Sequence, residues 1–488
     1  MGFDAIWVSP ITKQFEQNTG HGQAYHGYWQ QDLYSLNKHF GTGDDLRALA
    51  DELHKRGMFL MIDVVVGHTA WPGSRDTVDY TVFEPFNNES YYHSGDCLTA
   101  DAGSDPTQTQ NCWLGDDVVA LPDIRTEDDS IAKLLQSFVA DTVKNFAADG
   151  IRIDSVVNIS PGVLPGINKA AGVYCIGEVL QGATATACGY QDYMDGFINY
   201  AQYFPLIAML KGNDAVAQTL VQELSAIQSK CKDPSLLGSF SENHDNPRLG
   251  YYTDDMSLAS NAMAFDIMYD GIPIIYQGQE QKFSGGKSPY NREALWPSKY
   301  DQSAPLYKLA STLNSLRTQT IKANDSYLQY GSEVVYSDDH NIAFRKGYAG
   351  DQVITIINNN GAIGTNFTLE IPETSFVQGA NLTEVVGCTS VIVGSNSTFT
   401  ATITNGMPAV YALSSIVDQT VICNPEKAKA MASASASASA ASATKTSPIA
   451  NKTGLVATAT APRSSAGNSI FSSKLGNFVI VLLIILLV

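Results

Sequence analysis

The sequence predicts an α/β fold: a (β/α)8 TIM barrel whose first strand is not among these residues, with a subdomain inserted after the third strand and a C-terminal antiparallel β domain. Three observations carry this prediction. Short apolar runs alternate with helical patterns over residues 1–327, which implies a parallel sheet wrapped by helices. One connection, 67–122, is far longer than the usual two to six or so residues between barrel elements. Beyond residue 328 the spacing changes to short alternating segments, as in an antiparallel sheet.

Taken in order, the strand patterns lie at 3–8, 59–66, 150–156, 173–179, 196–200, 237–241 and 272–276. Helical patterns fall between several of them. One runs over 44–56 with Thr42 as its cap, and another over 129–147 with apolar residues at 131, 134, 135, 138, 139, 143 and 146. Seven strands are one short of a closed barrel. The chain opens directly in a strand pattern, with neither a charged leader nor a cleavage site, so a βα unit and a signal peptide are expected to precede Met1. Segment 67–122 is rich in Asp, Tyr, Asn and Ser and contains Cys97 and Cys112, which reads as a small subdomain stapled by a disulfide. Segments 341–345, 353–358 and 366–371 then belong to a β domain over 328–424.

The end of the chain has a different composition. Residues 425–477 are Ala/Ser/Thr-rich and read as an O-glycosylated stalk that cannot bury a core. The stalk leads into an apolar tail, 478–488, too short for a span that needs about 20 residues. Small residues at 464–468, a polar spacer and that tail match a signal for a GPI lipid. Sequons at Asn88, Asn158, Asn324, Asn366, Asn381, Asn396 and Asn451 fit the same secretory route. The expected location is therefore the cell surface or cell wall, with membrane contact only through the lipid. A formal charge of −19 argues against nucleic acid and anionic membrane as partners, and nothing in the sequence points beyond a monomer.

In such a barrel the chemistry sits where the strands end in the C-terminal direction. Three strand patterns each bring a carboxylate there: Asp154 in Gly150-Ile-Arg-Ile-Asp154, Glu178 in Cys175-Ile-Gly-Glu178, and Asp245 in Glu242-Asn-His-Asp245. Asp63 and His68 end a fourth. Alternation along the strand places Arg152 on the same face as Asp154, and a neighbouring guanidinium favours an ionised, nucleophilic carboxylate. Glu178 stands among apolar neighbours, where a raised pKa suits proton donation. A nucleophile and a proton donor held about 5–5.5 Å apart define a retaining glycosidase. Tyr28 and Trp29 supply aromatic faces for a sugar ring, with His26 beside them.

These stretches resemble the signature regions of glycoside hydrolase family 13, the α-amylases, and are most similar to the secreted fungal type. The matching segments, in family order, are Gly2 to Pro10, Ala24 to Asp32, Asp63 to His68, Leu121 to Asp123, Gly150 to Asp154, Gly177-Glu178 and Glu242 to Arg248. The resemblance implies cleavage of internal α-1,4-glucosidic bonds in starch-like glucans and maltooligosaccharides through a covalent glycosyl-enzyme. It implies Asp154 as nucleophile, Glu178 as general acid/base and Asp245 as transition-state stabiliser. Arg152, His244, His68, His26, Tyr28, Trp29 and Arg292 then bind substrate. It also implies disulfides Cys97–Cys112, Cys188–Cys231 and Cys388–Cys423, with Cys175 unpaired.

Two departures from the family pattern matter. The Lys-His pair that contacts the acceptor side is replaced by Val157 and Asn158. The calcium ligand set is eroded: Gly67 stands for an Asn and Gln110 for an acid, which leaves Asp123 and the backbone carbonyl of Asn158. Together with the tail, the first departure resembles the GPI-anchored cell-wall branch of the family. The alternative reading is thus a 4-α-glucanotransferase of fungal cell-wall α-glucan synthesis. A silent glucan-binding wall protein is disfavoured because all three carboxylates are present.

Overall fold

The computed structural model describes residues 1–430, apart from 102–104, 212–216, 325, 349 and 365, together with the backbone of Ile480–Leu483. The barrel strands are β1 (Ala5–Val8), β2 (Phe59–Val64), β3 (Gly150–Ile153), β4 (Tyr174–Gly177), β5 (Gly196–Phe197), β6 (Gly238–Ser239) and β7 (Ile272–Tyr276). They pair in parallel as β6, β7, a gap of one strand, then β1 to β5 in order. Ile480–Leu483 occupies the gap. It pairs in parallel with β1, Ala5 opposite Ile480, and with β7, Ile274 opposite Ile480. A bridge between Ile198 and Gly238 closes the ring on the other side. The slot left for a first strand is thus filled by four residues from the far end of the chain. The rest of the tail, and the stalk beyond residue 430, lie outside the described residues.

Several strands are shorter than their apolar runs, and each difference has a local cause. The pattern at 150–156 stops at Ile153 because Ser155 adopts a left-handed backbone, φ 47°, and Val156–Asn158 turns as a 3-10 helix. That turn directs Asp154 into the rim. The pattern at 196–200 stops at Phe197, and its end instead starts the helix Tyr200–Leu210, capped by the Asn199 side chain on Gln202 N. Helix Gly43–Lys55 begins on Thr42, whose hydroxyl accepts from Asp45 N while Asp45 returns a bond to Thr42 N, a full capping box. Helix Asp129–Phe146 packs Ile131, Leu135, Phe138 and Val139 inward. Its chain turns at Ala147 in the left-handed region.

The inserted segment is joined to the barrel by a bridge between His68 and Asp123, which places those residues at its neck. Cys97–Cys112 staples it, Cys188–Cys231 ties two helical segments outside the barrel, and Cys388–Cys423 closes the C-terminal domain. Cys175 is buried and outside any disulfide. That domain has a six-stranded sheet facing a two-stranded one, over a core that includes Phe376, Phe399 and Tyr411. Among the described residues no helix is long and apolar enough to cross a membrane.

Candidate active site

A cleft of about 830 Å³ opens at the C-terminal ends of the barrel strands, between the loop that follows β1, the insertion and the loops after β6 and β7. Asp154, Glu178, Asp245, His26, Tyr28, Trp29, His68, His244 and Arg292 all line it. Arg152 lies just beneath, 1% exposed.

Arg152 organises the floor. Its Nη1 donates to Asp154 Oδ1 at 2.5 Å and to Asp63 Oδ1 at 3.0 Å, and its Nη2 lies 2.9 Å from Glu178 Oε2. One guanidinium therefore holds three buried carboxyl groups, two of them at the cleft surface. Asp63 also accepts from Tyr28 OH at 2.7 Å and from Trp7 Nε1 at 3.2 Å. Burial pushes the Asp63 carboxyl up to about 7 against the opposing pull of Arg152. Burial likewise raises Glu178 well above the ordinary carboxylate range. Arg152 opposes this, and the charges of Asp154 and Asp245 add to it. The amide of Ser155 donates to Glu178 Oε2 at 3.0 Å and fixes its direction. Here the left-handed Ser155 has a visible use, because the same turn that ends β3 aims its N–H at the next strand's carboxylate.

Asp245 sits on the loop after β6, its side chain 38% exposed, and takes Arg292 Nη2 at 3.2 Å and His244 Nε2 at 3.2 Å. The loop is held from behind. Asn243 Oδ1 accepts from Asp245 N, and Asn291 Nδ2 donates to His244 O at 2.8 Å. Arg248, fully buried, binds Glu242 at 3.0 Å and Glu293 at 2.7 Å.

Three histidines and two aromatic rings complete the walls. Tyr28 stacks on His244 with centroids 5.2 Å apart, and Trp29 stacks on Phe15 at 5.2 Å with the edge of His26 against it. His68 Nε2 donates to Tyr28 O at 3.1 Å, and Tyr28 N donates to His26 Nδ1 at 3.0 Å. Burial holds all three imidazoles below their usual pKa, furthest for His26 and His244, where Arg292 adds to it. They are neutral near pH 7. Nδ1 of His68 and of His244 is buried without a hydrogen-bond partner.

All ten sequence-predicted catalytic and substrate-binding residues thus converge on one cleft or its floor. Sequence reasoning left out Asp63 as a member of the charge cluster, although it is the lone acid in a strand of apolar residues. It also missed the Ser155 amide, the Arg248 clamp, and the lining residues His21, Tyr25, Leu180 and Tyr290.

The side chains around the expected calcium site are largely engaged with protein groups. Asp123 is buried with Oδ1 unpartnered, but its Oδ2 lies 2.7 Å from His93 Nδ1, a donor where a cation would sit. His93 Nε2 lies 3.0 Å from Glu127. The Asn158 side chain donates to Thr109 O at 2.8 Å, Gly67 has no side-chain oxygen and its carbonyl accepts from Ile124 N at 2.8 Å, and no group of three or more His, Cys, Asp or Glu able to hold a metal occurs among the described residues. These side chains alone supply fewer oxygens than the about six to eight that calcium takes. The burial of Asn158, 6% exposed, also removes it as a glycosylation site in the folded chain.

Comparison with known proteins adds an independent line. Residues 1–341 match the model "Alpha amylase, catalytic domain", and 334–431 match "Alpha-amylase, domain C". The chain is 44% identical over 424 residues to Alpha-amylase 2 of Schwanniomyces occidentalis, covering 87% of this chain and 83% of that one. It is 43% identical over 411 residues to the alpha-amylase of Saccharomycopsis fibuligera, covering 84% and 81%. Among solved structures, an alpha-amylase from Malbranchea cinnamomea superposes with a TM-score of 0.84 at 43% identity, covering 87% of this chain and 88% of that chain.

Proposed function

This chain belongs to the alpha-amylase family and is an α-amylase-type glycosidase acting on α-glucan; from that premise we propose that Asp154, Glu178 and Asp245 carry a retaining double displacement. The observation that carries the assignment is the shared guanidinium. Asp154 and Glu178 rest on adjacent nitrogens of Arg152, which supports the close pairing of a retaining enzyme, about 5–5.5 Å, over the wider spacing of an inverting one.

Asp154 attacks the anomeric carbon, oriented by the Arg152 guanidinium at 2.5 Å. Glu178, kept protonated by its burial, gives its proton to the departing glycosidic oxygen as the C–O bond breaks. The product is a covalent glycosyl-enzyme and a departing chain whose new terminus is a free 4-hydroxyl; the new reducing end forms only when water later displaces Asp154. Glu178, now a carboxylate, takes a proton from water, whose oxygen displaces Asp154 and restores both groups. Asp245, tied to Arg292 and His244, faces the sugar hydroxyls and the developing positive charge. The neutral histidines donate to or accept from ring hydroxyls.

A sugar hydroxyl in place of water gives transfer, and one observation favours some of it. Where a Lys-His pair would meet an acceptor, Asn158 turns its amide inward to Thr109, and apolar Leu180, 52% exposed, lines the cleft beside Glu178. Chromatography of maltopentaose products tests this. Shorter sugars with steadily rising reducing ends mean hydrolysis; early longer sugars with little new reducing end mean a glucanotransferase. No products at all would leave only the glucan-binding reading.

The disulfides and sequons support secretion, and the tail composition supports a GPI signal at 478–488. Replacing that tail with a lipid would take Ile480–Leu483 out of the sheet, so the two fates exclude each other. Release of the protein from cells by phosphatidylinositol-specific phospholipase C supports the anchor; recovery of peptides from 478–488 in the mature protein refutes it.

A further inference from the structure

We propose that Tyr290 is a specificity-determining residue, its ring a stacking platform for a glucosyl unit beyond the subsite where the bond breaks; this rests on the glycosidase reading above. Tyr290 lines the same cleft as the three carboxylates, together with Ser288, Pro289 and Arg292, yet its side chain is largely uncovered, with the residue 73% exposed. An exposed ring of this size is ordinary on a loose loop. Here the loop is fixed.

Gly285 N donates to Glu293 Oε1 at 2.6 Å, and the other oxygen of Glu293 takes Arg248 Nε at 2.7 Å. Asn291 Nδ2 reaches His244 O and Asn246 O at 2.8 and 2.9 Å, and Arg292 Nε reaches His244 O at 3.0 Å. The chain also crosses itself at this point. A Cβ on Gly285 would lie 1.8 Å from Tyr290 O, so only glycine fits against the tyrosine's backbone. The loop is therefore locked to the strand-end segment that carries His244 and Asp245. An aromatic ring presented from such a loop costs little ordering when a ligand arrives, because a tyrosine has only two side-chain torsions to fix.

A glucose ring has an apolar face of C–H groups, which suits an aromatic face. Trp29 already offers one such ring inside the cleft, packed on Phe15 at 5.2 Å. Tyr290 supplies a second at the outer lip, which only a longer chain can reach. Its contribution is to binding and not to the reacting atoms, so it separates long substrates from short ones by KM.

The test compares Tyr290→Ala and Tyr290→Phe with the unaltered chain, using maltoheptaose and maltotriose. Tyr290→Ala is expected to raise KM for maltoheptaose about 3- to 10-fold with kcat retained, and to leave maltotriose nearly unchanged. Tyr290→Phe keeps the ring and restores the unaltered KM. An equal change for both sugars, or no change for maltoheptaose, overturns the proposal. Calorimetric binding of maltoheptaose in an Asp154→Asn background reads the same contact without turnover. Weaker binding on adding Tyr290→Ala supports the platform even if cleavage fails, and unchanged binding refutes it whatever the activity.

Discussion

Two arginines in this molecule are buried among carboxylates, and only one of the clusters is placed for chemistry. Arg248 is 0% exposed between Glu242 and Glu293, and each acid spends its remaining oxygen on a backbone amide: Glu242 on Leu249 N at 3.1 Å, Glu293 on Gly285 N at 2.6 Å. Every carboxylate oxygen in that cluster has a partner, and the cluster clamps one loop to another. Arg152 is 1% exposed among Asp63, Asp154 and Glu178, so one positive charge faces three acids. The surplus is relieved by protonation, which burial promotes at Asp63 and Glu178, and two of the three acids border the cleft. Acids outnumber the arginine in both clusters, so the difference lies in the cleft: a buried ion cluster reads as catalytic when its acids border a cavity. A cluster whose acids are tied to backbone amides and stay out of the cleft reads as structure.

The comparison can be broken by substitution at either cluster. The largest effect is expected from Asp154→Asn, which leaves the cleft intact but removes the nucleophile; turnover should fall by about four orders of magnitude or more, measured as reducing ends released from maltopentaose. A drop of only tenfold would move the nucleophile elsewhere. Next comes Arg248→Met, which strands Glu242 and Glu293. Removing one partner of a buried pair should lower unfolding free energy by about 3–5 kcal/mol, read in urea. A loss too small to measure would mean that the Arg248 cluster holds nothing.

A third prediction sharpens the account of Arg152. Glu178 must be protonated to donate, and its pKa is raised by burial and by the charges of Asp154 and Asp245. The alkaline limb of kcat/KM should therefore lie well above the ordinary glutamate value of about 4.3, with activity lost as pH rises through it. Asp245→Asn removes one raising charge, so the limb should move to lower pH in whatever activity remains. A shift to higher pH would contradict the assignment. The smallest effect is expected from chelation. With His93 donating to Asp123 and no metal-holding group of three His, Cys, Asp or Glu among the described residues, EDTA should leave the melting temperature unchanged, and a fall of several degrees would show a cation site that the side chains do not suggest.

Much of the barrel was legible because its strands are uninterrupted apolar runs, as at 272–276, and because Thr42 and Asp45 spell a capping box. Strand ends were less legible. The run 150–156 continues apolar through Val156, and only the left-handed turn at Ser155 ends it. Helix Met256–Met268 gave no helical signal because it is buried on nearly every side, from Leu258 to Met268, so no polar stripe marks a period. Asp154 and Glu178 were legible as the lone acids closing apolar strands, whereas Asp245 lies in the polar loop after Gly238–Ser239 and shares it with Glu242. Arg152 could be paired with Asp154 by alternation alone, whereas its contacts to Asp63 and Glu178 come from neighbouring strands and needed the sheet register, Asp63 opposite Arg152 and Arg152 opposite Ile176. Tyr290 and the Arg248 clamp depend on loop packing that no periodicity encodes. The filling of the first-strand slot by Ile480–Leu483 was equally invisible, since it joins residues from opposite ends of the chain.

The most direct test of the central claim is the anomeric configuration of the first product, followed by proton NMR in the opening minutes of cleavage of a maltooligosaccharide. Two displacements, by Asp154 and then by water, should deliver the α-anomer first, with the β-anomer growing in only by mutarotation. A β-anomer appearing first would mean a single displacement by water. Asp154 would then not be the nucleophile, and the pairing of Asp154 and Glu178 on Arg152 would need another explanation.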